Sequence, residues 1–110
     1  MNEADFHELV DDVLFAIEET VEASDLDIDY ENSNGMLTLT CEVNGSQIIL
    51  SRQPAIREIW VAAKSGGFHF DLKTNGSFQV WQNTVSKESL SDFLSQLFLS
   101  QGGDSLDFIF

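Results

Sequence analysis

Residues 18–31 read EETVEASDLDIDYE, and within them one periodicity replaces another. Up to Ala23 the apolar positions recur at helical spacing; from Leu26 they alternate, with Leu26, Ile28 and Tyr30 set against Asp27, Asp29 and Glu31. A helix therefore hands over to a half-buried edge strand whose acids face water. Carboxylates run through the handover: Glu18, Glu19 and Glu22 at the helix end, Asp25 in the loop, then Asp27, Asp29 and Glu31. No Lys or Arg precedes Arg52, so the front of the chain carries one sign of charge. Such a surface repels itself and weakens the compact state, which points to a partner of opposite charge, either a hard cation or a basic protein surface.

Upstream, the helix runs from about Glu3 to Ala23. Phe6, Val10, Val13, Leu14, Ile17 and Val21 share one side, and Glu8, Asp11, Asp12, Glu18, Glu19 and Glu22 the other. Asn2 suits the N-cap, and Glu3 and Asp5 suit the positive end of the helix dipole. The three glutamates near the C-terminal end sit where negative charge is unfavourable. Phe15 points to the acidic side, an exposed aromatic that a binding face would explain.

Downstream, the period stays at two. Asn34-Gly35 predicts a hairpin turn into a strand over Met36 to Val43, with Leu37, Leu39, Cys41 and Val43 on one face. Asn44-Gly45 repeats the turn before Gln47 to Arg52, and Pro54 interrupts the pattern. Glu58 to Lys64 sets Ile59, Val61 and Ala63 against Trp60, Ala62 and Lys64; Phe68 to Leu72 turns its three apolar residues inward and His69 and Asp71 outward. Asn75-Gly76 leads to a last strand over Ser77 to Trp81. A second helix is expected from an N-cap at Ser86 to Gln101, ended by Gly102-Gly103, and the tail DSLDFIF carries enough apolar bulk to dock in the groove between the helices. The order predicts a single domain over residues 1–110 of the α+β class. This is a two-layer α/β sandwich with an N-terminal helix, an antiparallel meander of about six strands and a C-terminal helix, both helices on one face of the sheet.

The totals bound the function. A net charge of −14 in 110 residues excludes nucleic acid and anionic membranes as partners, since both would be repelled. A lone cysteine permits no internal disulfide and no zinc or cluster site by itself, and no apolar run approaches the roughly 20 residues of a membrane span. The N-terminus lacks the basic segment of a signal peptide, so the expected location is the cytoplasm.

Three stretches resemble the frataxin family, and within it the bacterial, CyaY-type members. They are the opening MNEADFHELVDDVLFAIEE with its acidic continuation, the strand MLTLT, and RQPAIREIWVAAKSGGFHFDL over residues 52–72, where the Ile59-Trp60 pair and the run Gly66 to Leu72 fit the family signature. The resemblance covers essentially the whole chain and implies the frataxin fold and a role in iron–sulfur cluster assembly. It implies weak binding of ferrous or ferric iron on an acidic ridge, without an organic cofactor, and association with the cysteine desulfurase and its scaffold protein. Carried over by position, the ridge falls on Glu18, Glu19, Glu22, Asp25, Asp27, Asp29 and Glu31, flanked by Asp11 and Asp12. Trp60 matches the tryptophan of the outer sheet face used in partner contact.

The residues themselves weigh these roles. Carboxylates without His or Cys make exposed, hard-oxygen metal sites of low selectivity. Asp25-x-Asp27-x-Asp29 is no EF-hand, because Tyr30 stands where that loop needs Gly and Glu31 comes too early to close it. His7 could join the ridge at its edge, although a helix-surface histidine is the commoner case. His69 reads as a polar sheet-face residue with a modest share in docking. Trp60 points away from the core, and flanked by Lys64 and Arg52 or Arg57 it reads as an interaction hot spot. Cys41, between Leu39 and Val43, reads as a buried hydrophobe. The expected protein is a non-catalytic regulator, monomeric unless iron assembles it, using Glu18, Glu19, Glu22 and Trp60 for partner contact. The alternatives are ferroxidase or iron-storage handling of iron, for which no buried di-iron motif is present, and a metal-free acidic inhibitor of a basic protein.

Overall fold

The computed structural model describes residues 1–103 and 105–110. Helix α1 spans Glu3–Ala23, and Asn2 caps it by accepting a 2.8 Å hydrogen bond from the Asp5 amide. Its buried side chains are Phe6, Val10, Val13, Leu14, Ile17 and Val21, the same stripe that the sequence predicts. The helix stops at Ser24, whose amide and hydroxyl both donate to the Val21 carbonyl, and Asp25 then takes a left-handed φ of 58° that short polar side chains tolerate.

Six strands follow, each antiparallel to the one before and after it: β1 (Ile28–Ser33), β2 (Met36–Cys41), β3 (Ser46–Gln53), β4 (Glu58–Ala63), β5 (Gly66–Asn75) and β6 (Phe78–Asn83). The register lines up inward-facing residues across the sheet: Leu37 opposes Leu50, Leu50 opposes Val61, and Ile59 opposes Phe70. These residues form one core with the buried stripe of α1 and with Leu90, Leu94, Leu97 and Phe98 of helix α2 (Leu90–Gly102). Both helices therefore lie on one face of the sheet, in the expected two-layer α+β arrangement. Each fully buried Phe, Leu or Ile in this layer contributes about 1.5–3 kcal/mol by leaving water.

Several boundaries depart from the sequence reading. Leu26 packs against the core but precedes the strand, which begins at Ile28. Strand β2 ends at Cys41, where the Asn44 and Gly45 amides both bond to the Cys41 carbonyl, so Val43 sits in a loop with 72% of its surface exposed. Helix α2 begins at Leu90, capped by Ser89, and not at Ser86. The reason is Asn83: its side-chain oxygen accepts from the amides of Val85 and Ser86, and its own amide bonds to the Glu88 carbonyl. That local alternative to the helix holds the segment as a turn.

The tail docks as expected, although Asp104 lies outside the described residues. Leu106 and Phe108 are buried, the Phe108 ring sits 5.4 Å from that of Phe98, and the Phe108 amide donates to Ser95 Oγ. Phe110 reaches α1, lining a cavity with Leu9 and Val13.

Candidate functional site

Helix α1 and strand β1 are antiparallel neighbours, and polar contacts mark their alignment. Tyr30 donates from its phenol to Glu22 Oε1 at 2.6 Å, Asn32 approaches Glu18 Oε2 at 3.4 Å, and Arg52 joins Asp11 to the hairpin tip at Gly35. Residue numbers fall along the helix as they rise along the strand. On β1, Ile28 and Tyr30 turn toward the core, leaving Asp29 and Glu31 exposed on the other face of the sheet. The acids of the helix and the acids of the strand thus straddle the edge strand, with exposed Asp25 and Asp27 linking them around the end.

This arrangement is a band and not a cage. Among the described residues no three His, Cys, Asp or Glu side chains gather closely enough to hold a metal ion. Tyr30 sits inside the band, and its hydroxyl is pushed up to about 12. The hydrogen bond to Glu22 is the main cause, followed by desolvation and by the negative charges of Glu22 and Glu18. A negative field next to a phenol opposes a second negative charge.

The flanking residues divide. Asp11 pairs with Arg52 Nη2 at 2.6 Å, the only ion pair to a ridge acid among the described residues. Asp12 turns to a groove it shares with Leu9, Leu72 and Gln79. His7 lies one turn toward the N-terminus, with Nδ1 3.0 Å from Arg52 Nη1 and Nε2 3.6 Å from Glu3 Oε1. A guanidinium can only donate, so Nδ1 is the acceptor and the ring proton sits on Nε2. His7 therefore belongs to the Arg52 cluster and stands apart from the band of Glu18 to Glu31.

Trp60 lies on the outer face of the sheet, as period two requires, but its neighbours differ from those expected. Arg52 turns to the helix side toward Asp11, and Arg57 sits over the Phe6 ring, 6.0 Å from its centre. The partner of Trp60 is His69, directly opposite on β5, stacked with ring centres 4.4 Å apart and planes 7° from parallel. Glu58 links the two: Oε1 accepts from Trp60 Nε1 at 2.8 Å and lies 3.7 Å from His69 Nδ1. Sequence reasoning passed over Glu58, yet the signal was present, since residues two apart on a strand share a face.

The comparisons with known proteins agree with one another. The chain matches the Frataxin-like domain family over residues 1–104. It is 49% identical over 108 residues to the iron-sulfur cluster assembly protein CyaY of Pseudomonas aeruginosa, covering 98% of this chain and 97% of that one. Identity to the protein of the same name from Azotobacter vinelandii is 48% over 108 residues, covering 98% and 96%. A solved structure of frataxin from Psychromonas ingrahamii, a model for stability modulation within the CyaY family, superposes with a TM-score of 0.88 at 33% identity over 100% of both chains. With fold, motifs and relatives in agreement, the chain belongs to the frataxin family, among its CyaY-type members.

Proposed function

We propose that this protein acts in iron–sulfur cluster assembly as a non-catalytic, iron-binding regulator in the cytoplasm, docking through its acidic ridge onto the cysteine desulfurase and its scaffold. The observation that carries this reading is the band itself: Glu18, Glu19, Glu22, Asp25, Asp27, Asp29 and Glu31 without a cation partner among the described residues. Iron is cargo in this reading. One or two hard carboxylate oxygens plus water would hold it, giving weak binding that exchanges readily. A basic partner surface would be drawn to the same field, chiefly through a faster association rate.

The test is an anaerobic NMR titration of the labelled protein with ferrous iron, followed by titration with a cysteine desulfurase. Broadening between about Asp11 and Glu31, with the same residues shifted by the desulfurase, is the expected result. Iron that leaves this stretch unperturbed removes the metal role, and a desulfurase that leaves it unperturbed removes the docking role.

A further inference from the structure

Phe15 is the one large apolar side chain of α1 that the core does not use, and 61% of its surface remains exposed. Taking about 100° per residue, it lies nearly opposite Val13 and Ile17, with Asp11, Asp12, Glu18, Glu19 and Glu22 all within about 60° of it. Along the helix axis it falls between Asp11, tied to Arg52, and Glu18, tied to Asn32. The ring is therefore the centre of the acidic face. It removes little apolar surface from water, and its helix propensity is below that of Ala, Glu or Lys, so the fold gives no reason for it. Nor does a hard cation, which takes oxygen ligands and no phenyl ring. An aromatic side chain ringed by charges has the layout of an interface hot spot, an apolar anchor inside a polar rim.

We propose that Phe15 is the apolar anchor of the docking face and enters an apolar pocket on a partner protein whose surrounding surface is basic. The charge around the ring selects that occupant: a polyanion or a second copy of this face would be repelled. The inference rests on the ridge being a docking surface, as argued above.

The test measures binding and dissociation of the full-length protein with a cysteine desulfurase over a range of salt concentrations. The variants are Phe15→Ala, Phe15→Leu and the triple reversal of Glu18, Glu19 and Glu22 to Lys. Phe15→Ala should weaken binding about tenfold or more through faster dissociation, with the salt dependence unchanged and the thermal midpoint of the free protein not lowered. Phe15→Leu should retain most of the affinity. Wild-type affinity in Phe15→Ala, beside weakened binding in the triple reversal, overturns the anchor and leaves the docking surface standing. Unchanged affinity in both overturns the two together. A Phe15→Ala loss confined to the association rate and the salt slope also overturns the anchor, because it would act through charge.

Discussion

The Tyr30 phenol donates to Glu22 Oε1 at 2.6 Å, tying the edge strand to the last turn of α1 inside a negative field. Tyr30 is the only tyrosine in the chain, so its ionisation can be followed by phenolate absorbance without interference. It should titrate near 12, against about 10 for a free tyrosine. Because the folded value is raised, the stability it confers is fully present below pH 10 and is lost as pH rises toward 12. Glu22→Gln should lower the midpoint, and a midpoint near 10 in the wild type would mean that the bond does not form in solution.

Glu19 is exposed near the C-terminal end of α1, where the helix dipole disfavours negative charge, and the last turn holds no basic residue. Glu19→Lys should therefore stabilise the fold by about 0.3–1 kcal/mol at low salt, with the gain fading as salt is added. The same change should weaken docking onto a basic partner. Chemical denaturation and binding measured on one sample would show whether the two move in opposite directions.

Arg52 has three partners, Asp11, His7 Nδ1 and the Gly35 carbonyl, and only 14% of its side chain is exposed. Arg52→Ala should destabilise the protein by about 1.5–3 kcal/mol in urea unfolding, the range for a charge-assisted hydrogen bond lost from a shielded site. Asp11→Asn should cost much less, because Asp11 is 67% exposed and keeps an acceptor oxygen.

A Cβ on Gly102 would lie 3.2 Å from Cys41 Sγ. Helix propensity alone favours Gly102→Ala by about 1 kcal/mol, but here the added methyl presses on a buried thiol. The gain should be absent in the wild type and appear in a Cys41→Ala background. Additive effects across this double-mutant cycle would show that the helix end moves freely away from β2.

Phe108 is 5% exposed and packs on Phe98, so Phe108→Ala should cost about 3–5 kcal/mol. Ile109, 87% exposed, should be replaceable by Ala with a change below about 0.5 kcal/mol. Equal melting temperatures for the two variants would mean that the tail does not dock.

The residues show why some of this was legible beforehand. The α1 stripe and the alternation in β1 and β4 are local periodicities, visible in any short window. The partners of Arg52 lie 17 to 45 residues away in sequence, so local periodicity could not place it on the helix side of the sheet. The stacking of Trp60 on His69 depends on strand register: with Ala63 opposite Gly66, only Lys64 and Ser65 form the turn, and that spacing brings the two rings together. The late start of α2 was hidden because Asn83, the residue that causes it, lies between the predicted last strand and the predicted helix, where periodicity carries no signal. The acidic band was legible as charge, but its wrapping of β1 needed the fold, since Tyr30 and Glu31 are adjacent in sequence and face opposite sides of the sheet.

Strand β1 is the first strand of an open sheet, and its outer rim of amides and carbonyls is a template on which another extended chain could add. Asp29 and Glu31 on one side, with Glu18 and Glu22 on the other, keep a second copy away from that rim by repulsion. The ridge is thus also a guard against aggregation. Whatever neutralises these charges, whether dense salt, a polyvalent ion or low pH, removes the guard, so the solubility of the folded protein should fall wherever they are screened or protonated.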